Sequence, residues 1–179
     1  MLRRNAESGK PAAIRFLGSS YVDGSYGLVP SHKKAARLFQ RAAGLGDVLA
    51  MFNLGCLYKQ GDGVKLDKKK MVRYWRVAAD RGFANAQDNL GLCYQEANGV
   101  AKDYAEAKQF YKLAADQGFT NAEVNLACLC FLGEGVRDPE DGAEAVRVLV
   151  PVLERAAAKG HEDARAVLDR LSRGGDFTC

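Results

Sequence analysis

The chain repeats its own pattern at an interval of 36 residues, and this regularity constrains its fold more than any other feature. An Ala-x-x-x-Leu segment begins at Ala50 and recurs at Ala86 and Ala122. An earlier copy starts at Ala13, 37 residues before the first, and a partial copy starts at Ala164. A fixed period of this length is typical of proteins built from stacked structural repeats.

Each unit is predicted to form a helix, a turn, a second helix and a second turn. Ala50, Leu54 and Tyr58 are spaced four residues apart, which places them on one face of a helix. Glycines then end that helix, and Asp67 and Asp103 are predicted to be the N-caps of the second helices in two successive units. Because one helix pair cannot bury its apolar face alone, neighbouring pairs must stack on one another.

Two units depart from the pattern. The first has one extra residue in its turn, between Gly24 and Gly27. The fourth has Ala127 where the others have glycine, and it is six residues longer. Pro151 is predicted to kink or break a helix over residues 143–158.

The repeated pattern A-x-x-x-L-G-x-x-Y, followed by glycines, an aspartate, an aromatic residue and A-A-x-x-G, resembles the Sel1-like repeat, a relative of the tetratricopeptide repeat. The resemblance covers about residues 6–173. It implies an all-α, right-handed α/α superhelical solenoid of about four helix pairs with a C-terminal capping helix. It also implies a scaffold or adaptor for protein complexes, as in signalling or protein quality control.

The predicted solenoid spans residues 1–173 and is followed by a short polar tail at 174–179. Its predicted units are residues 9–45, 46–81, 82–117 and 118–159, with a half-unit at 160–173.

An asparagine recurs once per unit on the first helix, at Asn53, Asn89 and Asn125, where the first unit has Phe16. First helices line the concave surface of this architecture, and an amide both donates and accepts hydrogen bonds. The series is therefore a candidate binding site for the backbone of an extended peptide. The neighbours expected to add selectivity are Phe52, Gln87, Asp88, Glu123 and Val124. The alternative is that each asparagine bonds within its own repeat.

A basic cluster lies at the turns and at the starts of second helices. Its members are Lys65, Lys68, Lys69, Lys70 and Arg73, with Lys33, Lys34 and Arg37 one unit earlier. Lysines at the start of a helix oppose its dipole, which favours a role in binding an acidic partner. The alternative is an ordinary solvated face.

Charge is distributed unevenly. Residues 1–80 carry 15 Lys/Arg and 6 Asp/Glu, a net +9, whereas residues 81–179 carry 11 and 16, a net −5. The opposite signs could drive salt-sensitive head-to-tail association, although a monomer is the simpler expectation. The total of +4 is too small to indicate nucleic-acid binding, and no recognition motif is present.

The sequence predicts no catalytic, cofactor or metal site, and the chain is not expected to be an enzyme. The two histidines, His32 and His161, lie at opposite ends of the repeat array, so no nucleophile and base are expected to meet. The five cysteines lack the paired spacing of a disulfide framework or zinc site. Without a visible signal peptide or transmembrane run, the expected location is cytoplasmic. The alternatives for function are a self-assembling structural array or a hydrolase subunit.

Overall fold

The described part of the computed structural model comprises residues 6, 7, 9–131 and 150–172, and it is helical without any strand. Its helices are α1 (Pro11–Asp23), α2 (His32–Gly44), α3 (Val48–Gln60), α4 (Lys68–Asp80), α5 (Ala84–Gln95), α6 (Tyr104–Ala115), α7 (Thr120–Phe131), α8 (150–158) and α9 (Glu162–Ser172). Helices α1, α3, α5 and α7 are the first helices of their repeats, and α2, α4 and α6 are second helices. The predicted all-α helical repeat solenoid is confirmed.

Contacts divide the chain into two compact bodies. One comprises residues 1–86 with 98–100, and the other comprises residues 87–97 with 101–179. In the first body, α1 packs against α2, α2 against α3, and α3 against α4. In the second body, α6 and α9 both pack against α7. Successive helices therefore pack as antiparallel neighbours, as short connections require.

Aspartate side chains begin the helices as predicted. The Oδ1 atom of Asp67 accepts a hydrogen bond from the backbone N–H of Lys70 at 2.9 Å. Asp103 accepts from the N–H groups of Ala105 and Glu106 at 3.0 and 3.1 Å. These bonds satisfy donors that lack partners within the helix, so both aspartates are confirmed as N-caps.

An aromatic ring on each second helix lies directly over a glycine of the preceding first helix. The pairs are Phe39 over Gly18, Trp75 over Gly55, and Tyr111 over Gly91. A Cβ atom added at Gly91 would lie 2.5 Å from the Tyr111 ring, so any larger residue there would displace the ring. Glycine thus allows the two helices to bury a large ring between them.

The turns after α3 and α5 each pack against the start of the preceding repeat's second helix. Gly63 has a φ of 68° and lies against the backbone of His32 and Lys33. Gly99, with a φ of 83°, lies in the same way against Lys68, and a Cβ there would come within 2.6 Å of the Lys68 carbonyl oxygen. Both positions require glycine for its left-handed backbone and for its missing side chain.

The second body ends in the helix predicted as a cap. Ala164 of α9 is fully buried with Val124, Ala127, Leu153 and Ala156, and the α9 side chains Val167, Leu168 and Leu171 pack against this cluster.

The predicted interruption at Pro151 lies partly outside the described residues. Residues 150–158, which include Pro151, are helical.

Candidate protein-binding surfaces

The asparagine series divides into two kinds of side chain. Asn53 on α3 and Asn89 on α5 are half-buried, and neither side chain forms a hydrogen bond with any described residue. Asn125 on α7 instead donates from its Nδ2 atom to Oδ1 of Asp88 at 2.9 Å. That bond joins two repeats rather than two positions within one, because Asp88 lies 37 residues earlier. Asn53 and Asn89 therefore keep free donor and acceptor atoms, whereas one Asn125 donor is occupied.

The predicted neighbours in the second body differ in exposure. Gln87 is only 4% exposed, and its Oε1 atom accepts a hydrogen bond of 2.7 Å from Gln117. Val124 is fully buried. Glu123 is half-buried and forms an ion pair with Arg155 at 3.5 Å. Gln87 and Val124 thus present little surface to a ligand, while Glu123 remains accessible.

Asp88 is a half-buried carboxylate. Burial raises the pKa of its side chain above the ordinary value, and the hydrogen bond from Asn125 partly opposes this shift. Burial also raises the pKa of the Tyr111 hydroxyl, which donates a hydrogen bond of 2.7 Å to Gln95. Both effects follow because a charged group loses solvation when it is removed from water.

Phe52, the predicted neighbour in the first body, belongs to an aromatic cluster. Its ring centroid lies 6.1 Å from that of Trp75 and 5.0 Å from that of Phe83. Its carbonyl oxygen also accepts a hydrogen bond from Trp75 Nε1 at 3.2 Å. Phe52 is half-buried and directly precedes Asn53 in α3.

The first repeat has an exposed aromatic pair where the others have asparagine. Phe16 is 42% exposed and Tyr26 is 68% exposed, with ring centroids 5.6 Å apart. Tyr26 lies in the 3₁₀ turn Ser25–Gly27 and has a φ of 57°, which is rare for a residue with a side chain. The extra residue of this turn therefore places a second ring beside Phe16.

The basic cluster also divides into two kinds of side chain. The Nζ atom of Lys34 lies 5.2 Å from the centroid of the Tyr21 ring, and that of Lys70 lies 5.3 Å from the Tyr58 ring. Lys70 also lies 3.7 Å from Asp67. Both lysines are engaged in cation–π contacts within the first body.

The remaining predicted members of the basic cluster are exposed and have no partner among the described residues. They are Lys33, Arg37, Lys65, Lys68, Lys69 and Arg73. Sequence reasoning missed the two cation–π pairs, although a signal was present: a lysine and a tyrosine recur together in both repeats.

Two cysteines of the described residues are shielded from solvent in part or in full. Cys93 is buried, and burial raises the pKa of the half-buried Cys56 thiol. A raised pKa lowers the thiolate fraction, which is the reactive form.

The described residues contain no group of three or more His, Cys, Asp or Glu side chains placed to hold a metal ion. Within the same ranges, no helix combines the length and apolar character needed to cross a bilayer.

Solved structures similar to this chain include two with about 30% sequence identity. One is a protective antigen present in uropathogenic Escherichia coli strains and displaying an SLR fold, with a TM-score of 0.85 and 31% identity over 99% of this chain. The other is a Sel1 repeat protein from Oxalobacter formigenes, with a TM-score of 0.78 and 30% identity over 90% of this chain. The chain spans 38% of the length of the first and 63% of the second. A search of curated proteins finds no match.

The Sel1 repeat family model matches residues 11–47, 48–83, 84–119 and 120–147. Proteins built from Sel1 repeats generally act as protein–protein interaction modules. With four consecutive repeats matched across most of its length, this chain belongs to the Sel1 repeat family.

Proposed function

We propose that this chain is a protein-interaction scaffold that binds an extended segment of a partner protein through side chains of its first helices. The observation that carries the proposal is that Asn53 and Asn89 occupy equivalent repeat positions and leave their amides unpaired among the described residues. Each amide can donate to a peptide carbonyl and accept from a peptide N–H. Binding of this kind depends on the partner's backbone more than on its sequence.

Partly exposed side chains beside the amides add selectivity. In the first body, Asn53 follows the half-buried Phe52 ring, and Phe16 with Tyr26 offers a larger apolar surface. In the second body, Asn89 follows the half-buried Asp88 carboxylate. These neighbours favour apolar partner residues at the first body and polar ones at the second.

Binding to a preformed surface requires little ordering of the scaffold. The rings behind it are fully packed, because Trp75 and Tyr111 are buried against glycines of α3 and α5. Side chains held by such packing lose little conformational entropy when a ligand binds. This favours an adaptor role, for example in signalling or protein quality control.

The test begins with peptides selected from a displayed random library against the full chain. Their affinities are then measured for Asn53→Ala and Asn89→Ala, with Gln40→Ala and Gln109→Ala as controls on exposed faces of second helices. We expect each asparagine variant to bind about threefold to tenfold more weakly, as for the loss of one hydrogen bond. The controls should bind as the unmodified chain does.

A second measurement examines the backbone directly. Methylating one peptide nitrogen at a time should weaken binding at the positions that face Asn53 or Asn89. Unchanged affinity in both asparagine variants, or equal losses in the controls, would refute the proposed binding surface.

Oligomeric state and location are part of the same proposal. We expect a monomer in the cytoplasm, with head-to-tail association appearing only at low ionic strength. Light scattering at low and high salt tests the first expectation, and fractionation of the producing cells tests the second. A single larger mass at both salt concentrations would contradict the monomer.

A further inference from the structure

The second helices α2 and α4 of the first body carry an unbalanced positive charge. Helix α2 has four Lys/Arg and no carboxylate, and α4 has five Lys/Arg and one carboxylate, Asp80, at its end. By contrast, α6 has two lysines and one glutamate. The excess is therefore a feature of two particular helices and not of second helices in general.

Part of this charge is arranged as a cationic stripe along the exposed faces of α2 and α4. The stripe consists of Lys33, Arg37 and Arg41 on α2, and of Lys69 and Arg73 on α4. All five side chains are exposed, and none has a hydrogen-bond or ion-pair partner among the described residues. Residues four apart lie on the same side of a helix, so each helix presents its cations in one row.

The two carboxylates between α3 and α4 are directed elsewhere. Asp67 accepts the hydrogen bond from the Lys70 N–H and caps α4. Asp62 lies 4.0 Å from the His32 ring. Neither is paired with a stripe cation, and no described carboxylate forms an ion pair with the stripe.

The start of α2 lies beside the segment that leads into α4. Gly63 lies against the backbone of His32 and Lys33, and α4 starts five residues later in the same segment. Helix α3 contacts both α2 and α4, so it lies between these two second helices in the packing order. A ligand at the start of α2 is therefore beside the segment that leads into α4.

We propose that the cationic stripe binds an extended acidic segment of a partner protein, with carboxylates at alternate positions. Cations four residues apart on a helix are separated by about 6 Å along its axis. Alternate side chains of an extended chain are separated by about 7 Å and point the same way. The row Lys33, Arg37 and Arg41 thus matches a sequence of the form Glu-x-Glu-x-Glu.

An acidic protein segment fits the stripe better than a nucleic acid does. Proteins that bind single strands combine positive charge with aromatic platforms on which bases stack. On these helices the Phe39 and Trp75 rings are buried over Gly18 and Gly55, and the half-buried Tyr74 ring is stacked on Tyr58. None of the three is therefore a free platform for a base. The surface is separate from the asparagines of the first helices, so the inference does not depend on the proposed function.

The experiment measures fluorescence anisotropy of a labelled peptide of six alternating Glu and Ser pairs, at low and at physiological salt. The comparison ligands are a peptide of the same composition with its glutamates in one block, and a single-stranded oligonucleotide of equal charge. Variant Arg37→Glu/Arg73→Glu reverses two stripe cations. Variant Lys112→Glu/Arg165→Glu reverses two exposed cations of the second body and is the matched control.

We expect the alternating peptide to bind the unmodified chain and to bind the stripe variant at least about tenfold more weakly, since each reversed cation repels the ligand. The control variant should bind within about twofold of the unmodified chain, because it leaves the stripe intact. Circular dichroism of each variant establishes that it is folded.

Four outcomes would overturn the proposal. They are no binding of the alternating peptide at low salt, an equal loss in the control variant, equal or tighter binding of the block peptide, and tighter binding of the oligonucleotide.

Discussion

The second and third repeats of this chain are alike inside and different outside. In both, an aspartate caps the second helix and a buried ring lies over a glycine, Trp75 over Gly55 and Tyr111 over Gly91. On the exposed face, Lys69 and Arg73 of the second repeat correspond by sequence to Ala105 and Gln109 of the third. Beside the asparagine, Phe52 corresponds to Asp88.

This difference separates the requirements of the fold from those of binding. Interior positions must fill a fixed space, so their size and polarity vary little between repeats. Exposed positions carry no such restriction, and a substitution there usually changes stability by less than about 0.5 kcal/mol. The contrast between Phe52 and Asp88, and between cationic and neutral helix faces, is therefore where specificity can arise.

The largest expected effect tests the shared interior. Trp75→Ala and Tyr111→Ala should each lower the free energy of unfolding by about 3–5 kcal/mol, because each removes a fully packed ring. Urea unfolding followed by circular dichroism measures both losses. If one variant lost less than about 1 kcal/mol, the two interiors would not be equivalent.

A smaller effect concerns the turn after each first helix. Gly61 has a φ of 80° in the second repeat, whereas the corresponding Ala97 in the third has a φ of 58°. Ala97→Gly should raise the free energy of unfolding by about 1 kcal/mol, and Gly61→Ala should lower it by at least as much. Gly44→Ala is the control, since Gly44 is helical with open space around its Cα. Thermal unfolding measures all three, and shifts of the same sign at positions 61 and 97 would contradict the argument.

Asp88 provides a pH-dependent contrast with Phe52. Because the pKa of folded Asp88 is raised, the folded chain holds this proton more tightly than the unfolded chain does. Its stabilising contribution is complete below the unfolded pKa and is lost as pH rises through the folded pKa. Asp88→Asn should therefore be more stable than the unmodified chain near neutral pH, with a difference that vanishes in acid.

Urea unfolding of both chains across that pH range measures the difference. Asp116→Asn, at an exposed position of the third repeat, is the control for removing a carboxylate. We expect the gain in unfolding free energy from Asp88→Asn to be smaller than that from Ala97→Gly, because Asp88 keeps part of its hydration. A difference that grew towards acid would show that the sign is wrong.

The smallest expected effect comes from a substitution that makes α4 resemble α6. Lys69→Ala removes a positive charge from the first turn of α4, where the helix dipole opposes it, and should raise the free energy of unfolding by about 0.3 kcal/mol. Lys112→Ala, in the last turn of α6, should have the opposite sign. Thermal unfolding at low and high salt measures both changes, and screening should reduce each of them. Changes that persist in high salt would indicate another cause.

The sequence by itself determined the repeat, the helices and their caps. A period of 36 residues, apolar faces such as Ala50, Leu54 and Tyr58, and aspartates such as Asp67 and Asp103 were sufficient, because hydrophobic periodicity and capping act between residues close in the chain. The candidate asparagines and lysines could also be selected by their recurrence. The groups to which these side chains bond in the folded chain could not be selected in that way.

Tertiary structure alone decided which of those side chains are available. Asn125 is bonded to Asp88, 37 residues away, while the equivalent Asn53 and Asn89 have no partner among the described residues. Lys70 lies over the Tyr58 ring, whereas its neighbour Lys69 has no partner in the part of the chain that the structure describes. These outcomes depend on distances between atoms that are remote in sequence, which packing of the helices sets and local residue preferences do not.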